Sequence, residues 1–272
     1  MRAGEVDKKR LFELLWGAPA GPRRGPRPTL SPAAVARAGI AVADADGLDG
    51  LTMQRVAESL GVTKMALYRY VPGRAELVAL MLDEALGEPP PPGPDADREA
   101  AGADADWRAR LDDWTRRLVE RFRRHPWAQA AAVGARLPGP NELSWVDRVV
   151  AALAGTGLTA TERLDVATLL VGHARNLAGL PPDSGREAAF AALVHGREAR
   201  FPALAAALAA PATPRSPTDP ASPTPDPTLD FGLTRILDGI QTLLHSRAAA
   251  TPPSVDHEVG GPTRRAATPP TS

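Results

Sequence analysis

Several residue types and patterns are missing from this sequence of 272 residues, and each absence excludes a class of protein. The chain has no cysteine, which excludes disulfides, thiolate metal sites and cysteine nucleophiles. It has no apolar run long enough to span a membrane and no apolar signal core at its N-terminus, so we expect a soluble, cytoplasmic protein. The formal net charge is zero, so any site for nucleic acid must be a local patch.

Enzymatic chemistry also lacks its usual patterns. The five histidines show no metal-ligand spacing such as His-Glu-x-x-His. The sequence contains no Gly-x-Ser-x-Gly elbow and no glycine-rich phosphate loop. We therefore expect neither catalysis nor a metal or other cofactor.

The segment 52–74 has the pattern of two short helices joined by a tight turn. Thr52 can cap the first helix, and Gly61 can supply the positive φ that a turn requires. The second helix is predicted over residues 63–70, before Pro72 and Gly73. The apolar residues of the first helix recur at helical spacing: Met53, Val56, Ala57 and Leu60. This pattern predicts a helix-turn-helix.

The second of these helices concentrates residue types that are rare elsewhere in the chain. Both tyrosines, Tyr68 and Tyr70, and one of only three lysines, Lys64, lie in or beside it. Two short packed helices could give the same apolar spacing, but packing alone does not require these side chains. The composition therefore favours DNA recognition, with the start of the helix in the major groove.

The rest of the chain predicts an all-α protein in which proline-rich segments separate the parts. A flexible basic arm (1–27) begins with a possible short helix (6–16), and it could be a solvated tail or could reach the minor groove. The arm precedes a three-helix head with a connecting helix (28–87). A proline-rich linker (88–103) leads to a helical bundle (104–247) that contains a proline-rich loop (211–227). A disordered tail (248–272) follows. Within the bundle, Asn141 is a predicted helix cap, and Thr159 with Glu162 has capping-box spacing.

The head resembles the DNA-binding domain of the TetR family of transcriptional regulators. The resemblance rests on Leu51-Thr52-Met53, on Leu60-Gly61-Val62 and on Leu67-Tyr68-x-Tyr70-Val71, followed by a basic residue. That residue is Arg74, where lysine is more usual. The match covers about residues 30–87, and an Arg-His-Pro-Trp element with a late Phe-Gly-Leu helix resembles the ligand-binding half of one branch. The resemblance implies a homodimeric, ligand-responsive regulator, a repressor that binds a palindromic operator in double-stranded DNA.

The chemistry of the side chains and this resemblance together give the predicted DNA contacts. Lys64 can donate to guanine and Met65 can touch a thymine methyl, whereas Gln54 could reach a base or a phosphate. The remaining candidates suit contacts to the backbone or lie beside them on the helix: Thr52, Thr63, Tyr68, Arg69, Tyr70 and Arg74. The ring of Tyr70 could equally close the small core, and both roles are compatible.

The bundle supplies two further sets of candidates. Polar groups near apolar positions suggest a pocket for a small apolar effector: His125, Trp127, His173 and Asn176. The resemblance implies that two late helices pair with their copies in a dimer, through Leu169, Leu170, Leu237, Ile240 and Leu244. A satisfied core histidine and an intrachain core are the alternative interpretations. An activator of the same fold, or an all-α interaction protein without DNA binding, remains an alternative function.

Overall fold

A computed structural model of the chain describes residues 3–17, 30–91, 103–180, 185–210 and 226–250. Every regular element in these ranges is an α-helix, which confirms the all-α prediction. Most of the predicted linker, the proline-rich loop and the tail fall outside the described residues, as do Arg23, Arg24 and Arg27 of the basic arm. None of the described helices is long and apolar enough to cross a membrane.

The N-terminal half contains the helices α1 (Ala3–Trp16), α2 (Pro32–Gly50), α3 (Met53–Ser59), α4 (Lys64–Tyr68) and α5 (Arg74–Leu86). Helix α2 starts as its sequence predicts, because the Ser31 hydroxyl accepts a hydrogen bond from the Ala34 amide at 3.1 Å. Gly47 has φ of 70° and ψ of −179°, so the helical backbone is interrupted there and a short last turn follows. The last turn of α2 therefore approaches α3 at a changed angle.

Helices α3 and α4 form the predicted helix-turn-helix. Ala57 is buried where they meet, and its carbonyl accepts from the Val62 amide at 3.0 Å. Gly61 has φ of 66°, the left-handed conformation that a side chain disfavours. Leu67, on the inner face of α4, is fully buried. The turn glycine and the buried leucine thus fix the direction in which α4 presents its other face.

The C-terminal half contains α6 (Ala103–Arg124), α7 (Trp127–Ala131), α8 (Pro140–Ala152), α9 (Ala160–Ala178), α10 (Gly185–Val194), α11 (Pro202–Ala209) and α12 (Pro227–Ala250). The apolar stripe of α6 is buried as its spacing predicts, including Trp107 and Leu111. Thr159 and Glu162 form both hydrogen bonds of the predicted capping box at the start of α9. Helices α10 and α11 pack mainly against each other.

Ion pairs join α12 to its neighbours. Three arginines of α6 face aspartates of α12 or its cap: Arg108–Asp238 at 2.6 Å, Arg116–Asp230 at 2.8 Å and Arg123–Asp226 at 2.5 Å. The carboxylate of Asp226, which is 4% exposed, also accepts from the Leu229 amide and so caps α12. Residue numbers in these pairs increase along α6 and decrease along α12, so the two helices run antiparallel.

Helix α1 agrees with the short helix suggested at the start of the arm. It packs on α5, buries Leu15 and donates from Trp16 Nε1 to the Pro138 carbonyl at 3.1 Å. The part of the arm after residue 17 lies outside the described residues. One expectation about a helix end is corrected. Asn141 does not cap α8, because the cap position lies two residues earlier, at Gly139, and Pro140 is the first helical residue.

Candidate DNA-binding surface and effector site

Helix α4 presents polar and apolar side chains to solvent at its start. Met65 is 73% exposed, an unusual state for a large apolar side chain, and Lys64 and Arg69 are exposed beside it. The Lys64 ammonium lies 5.8 Å from the centre of the Tyr68 ring, which is a cation–π distance. The structure therefore brings the predicted base-contacting residues together on one outward surface.

The threonines of this surface combine two roles. The Thr52 hydroxyl accepts from the Arg55 amide, and the Thr63 hydroxyl accepts from the Ala66 amide, both at 3.2 Å. Each threonine thus caps its helix, while its hydroxyl proton remains a donor for an outside acceptor. Gln54 is exposed, and its amide donates to Glu58 Oε1 at 2.7 Å.

Tyr70 and Arg74 are tied to the head itself. Tyr70 is half-buried against the core, which agrees with the packing role weighed for its ring. The Arg74 guanidinium donates from Nη2 to the Leu48 carbonyl at 2.6 Å and from Nε to the Leu51 carbonyl at 3.1 Å. Arg74, predicted as a phosphate contact, therefore already binds the turn between α2 and α3.

His125 and Trp127 lie at the junction between the two halves. His125 Nδ1 is 2.8 Å from Asp44 Oδ1, and Trp127 Nε1 donates to the same oxygen at 2.7 Å. Asp44 belongs to α2, so these bonds link the head to the bundle. Both side chains are buried with their polar atoms bonded to the head, which favours a role at the junction over the predicted place in an effector pocket.

A second link at the junction starts α8. Gly139 has no side chain with which to cap this helix, and Asp83 of α5 supplies the cap, since its Oδ1 accepts from the Glu142 amide at 3.0 Å. A Cβ atom on Gly139 would lie 2.2 Å from the same oxygen, so the glycine also makes room for Asp83. The Asn141 side chain donates to the Asp83 carbonyl at 3.0 Å. The head therefore completes a helix of the bundle.

Burial raises the pKa of the Asp83 carboxyl from 3.8 to about 6, and the nearby Glu142 carboxylate acts in the same direction. Sequence reasoning missed Asp44 and Asp83. A signal was present for Asp83, because it follows the apolar residues Leu80, Met81 and Leu82 of the connecting helix. The glycine at the start of α8 was a second signal, since it left the helix without a cap.

The other two effector candidates differ in environment. The His173 ring lies against α12 at Gly232, where a Cβ atom would be 2.4 Å from Cε1. Its Nε2 is buried and has no hydrogen-bond partner among the described residues, and burial lowers the pKa of the imidazole. Asn176, one turn further along α9, is exposed. Only His173 among the four therefore presents a buried polar atom without a partner.

The five predicted dimer residues differ in burial within one chain. Leu237, Ile240 and Leu244 of α12 are buried, and so is Leu170 of α9, which favours the alternative of an intrachain core for these four. Leu169 is 51% exposed. The other exposed large apolar residues on α9 and α12 are Leu164, Phe231 and Leu243.

An exposed second helix of a helix-turn-helix, carried on an all-α scaffold, is the arrangement of a DNA-binding transcription regulator. Residues 35–81 match the family model described as bacterial regulatory proteins, tetR family. Residues 100–244 match the model described as the tetracyclin repressor-like C-terminal domain. The chain belongs to the TetR family of transcriptional regulators, and it is a regulator, not an enzyme.

Individual relatives extend along most of the chain. The HTH-type transcriptional repressor DrrR1 of Streptomyces coeruleorubidus is 34% identical over 257 residues, which cover 92% of each chain. An HTH-type transcriptional regulator of Saccharopolyspora erythraea is 29% identical over 188 residues, covering 66% of this chain and 75% of the relative. The crystal structure of apo ActR from Streptomyces coelicolor is 25% identical with a TM-score of 0.59, covering 79% of this chain and 98% of ActR. ActR has also been solved in complex with (S)-DNPA.

The buried carboxyl of Asp83 predicts a specific dependence of stability on pH. Its folded pKa lies above its unfolded value, so the protonated form favours folding. That contribution is complete below about pH 4 and is lost as the pH rises through about 6. Asp83→Asn keeps an oxygen for the Glu142 amide and removes the buried charge. We expect its free energy of unfolding to match the parent near pH 4 and to exceed it by about 1–2 kcal/mol at pH 7.5.

Urea unfolding across this pH range measures the difference. Glu84→Gln is the matched control, because Glu84 is the next residue of α5 and pairs with Arg37 at the surface at 3.1 Å. We expect it to change stability by less than about 1 kcal/mol. A variant Asp83→Asn that is less stable than the parent at pH 7.5 would mean that the charge itself strengthens the cap.

Proposed function

We propose that the chain is a homodimeric repressor that binds a palindromic operator and is released from it by a small apolar molecule. The observation that carries the proposal is the outward surface of α4, where Lys64 and Met65 are exposed above the buried Leu67. A repressor, DrrR1, is the relative that covers 92% of the chain, which favours repression over activation. An expression reporter decides between them, because loss of a repressor raises transcription and loss of an activator lowers it.

Docking of α4 in the major groove assigns different roles to the residues at its two ends. Lys64 at the start meets base edges, whereas Tyr70 beyond the end lies beside the backbone. The hydroxyls of Thr52 and Thr63 and the guanidinium of Arg69 are the other backbone contacts. Gln54 is the second residue of α3, is held by Glu58 and can reach a base or a phosphate beside this surface.

A dimer would place two copies of α4 on one face of the DNA, about 34 Å apart. Exposed apolar side chains on α9 and α12 support pairing of these helices between two copies as a four-helix arrangement. The contacts we assign to it are Leu164, Leu169, Phe231 and Leu243. They replace the buried residues that the sequence suggested.

The effector site is proposed between α9 and α12 at His173. A buried imidazole nitrogen without a partner costs about 1–3 kcal/mol, which a bound ligand with one polar group recovers. Because burial lowers the pKa of His173, the ring is neutral at pH 7 and suits an uncharged partner. The complex of ActR with (S)-DNPA supports a small-molecule site in this fold.

The roles of Lys64 and Tyr70 can be separated by substitution. Lys64→Ala should cost about 1–3 kcal/mol for the selected operator and relax preference at one base pair in each half-site. Tyr70→Phe should weaken binding to all sequences equally, by about 0.5–1.5 kcal/mol. Selection of bound sites from a random pool, followed by affinity measurement, tests both. If Lys64→Ala selects the same consensus sequence as the parent while Tyr70→Phe selects a different one, the assignment of base and backbone contacts is reversed.

The dimer predicts that a charge at Leu169 separates the subunits. Leu169→Asp should sediment as a monomer at micromolar concentration and lose most operator affinity, since one half-site then binds alone. Val133→Asp is the matched control, because Val133 is 62% exposed between α7 and α8, outside the proposed interface. Equal sedimentation of both variants with the parent would place the interface elsewhere.

The effector site predicts different defects for two aromatic substitutions. His173→Phe keeps the ring size and removes the nitrogen, so it should lower ligand affinity without changing operator affinity. Trp127→Phe removes the bond to Asp44, so it should leave ligand affinity unchanged and reduce the effect of ligand on DNA binding. Ligands are first found by thermal shift in a panel of apolar aromatic compounds that includes (S)-DNPA. If the His173→Phe variant binds such a ligand with the same affinity as the parent, the effector site is not at His173.

A further inference from the structure

The exposed arginines of the head do not have equivalent surroundings. Arg69 lies at the end of α4, exposed to solvent, and the described contacts assign its guanidinium no partner. Arg74 is also exposed, yet two of its nitrogens donate to the carbonyls of Leu48 and Leu51. These carbonyls flank the turn between α2 and α3, immediately before the cap residue Thr52. The Arg74 guanidinium therefore spans the turn from the first residue of α5.

A second arginine holds the same turn from the opposite side. Arg55 of α3 donates from Nη1 to the Gly50 carbonyl at 3.0 Å and forms an ion pair with Asp46. A Cβ atom on Gly50 would lie 2.5 Å from Asp46 Cβ and 3.0 Å from Arg55 Nη1, so the close approach depends on glycine. The ion pair is half exposed and by itself contributes little to stability. The ion pair instead orients the Arg55 guanidinium towards the Gly50 carbonyl.

We propose that Arg55 and Arg74 form an arginine clamp that sets the orientation of α3 and α4 for DNA recognition, and that neither acts chiefly as a phosphate contact. The clamp occupies the carbonyls of Leu48, Gly50 and Leu51, in the turn that follows the kink at Gly47. Planar guanidinium groups can donate in two directions at once, which a lysine ammonium does less well because it is a compact point donor. The proposal rests on the proposed placement of α4 in the major groove.

The clamp joins α5 to the recognition helices. Arg74 is the first residue of α5, and Asp83 near the other end of α5 contacts the bundle. Through Arg74, the start of α5 is fixed to the turn that precedes α3. Arg55 then ties that turn to α3 itself. These residues are positioning residues, because each acts on DNA recognition through the backbone of the turn.

Conservative substitutions of Arg74 distinguish positioning from phosphate contact. If Arg74 is a positioning residue, Arg74→Lys keeps the charge but loses one of the two carbonyl bonds. We expect operator affinity to fall roughly tenfold, with an unchanged slope of log K against log salt. We also expect non-specific duplex binding to change little, because a misdirected α4 still carries its cations. If Arg74 binds phosphate, Arg74→Lys keeps parental affinity, and Arg74→Gln lowers the salt slope by about 0.9 for each bound subunit.

Asp46 gives a test in which the two explanations predict opposite signs. Asp46→Asn removes a negative charge close to the DNA, so a purely electrostatic surface would bind all duplexes more tightly. Loss of the clamp instead lowers operator affinity severalfold and leaves non-specific affinity unchanged or raised. The specificity ratio therefore falls if the proposal is right. A higher operator affinity for Asp46→Asn would overturn it.

Arg69 serves as the matched control for the whole set. Arg69→Gln should lower the salt slope by about 0.9 for each bound subunit, and Arg69→Lys should retain it. If Arg69→Gln leaves the salt slope unchanged, the proposed docking of α4 is wrong. If Arg69→Gln lowers the slope as expected but Arg74→Lys keeps the operator affinity of the parent, only the clamp is wrong. Far-UV circular dichroism and melting temperature identify any variant that fails to fold, and Asp46→Asn then decides the question without altering either arginine.

Discussion

The hydrogen bond from the start of α8 to Asp83 is the contact on which the relation between the two halves depends. A helix that begins at glycine cannot satisfy its first amides with its own cap, and here the head provides the missing acceptor. Because the Asp83 carboxyl is buried, its ionised form is destabilised and its pKa is raised, even though the carboxyl accepts the amide hydrogen bond. Asp44 adds a second acceptor on α2 for His125 and Trp127. The bundle thus reaches the head through two carboxyl groups on two different helices.

Helix α5 connects this junction to the DNA-binding surface. Its 13 residues span about 20 Å, with the Arg74 contacts at one end and Asp83 near the other. The side between them is buried against α2 through Leu77 and Met81, and Gly39 of α2 leaves space for the Met81 sulfur. A displacement at Asp83 would therefore move a packed helix whose other end is bonded to the turn before α3.

The sequence predicted the head better than the bundle for a physical reason. Local chemistry determines a helix-turn-helix: Thr52 caps, Gly61 takes positive φ, and Leu67 faces inward at helical spacing. Long-range packing determines which apolar stripe becomes core, so Leu237, a plausible interface residue from spacing alone, is buried in its own chain. The role of Trp127 could not be read either, because its partner Asp44 lies 83 residues away.

The three ion pairs between α6 and α12 all place the arginine on α6 and the aspartate on α12 or its cap. The same aspartates on a second copy would repel one another, which disfavours this side of α12 as a contact between two α12 helices. The side of α12 that binds α6 is also occupied within one chain. The proposed dimer is therefore left with exposed apolar residues such as Phe231 and Leu243.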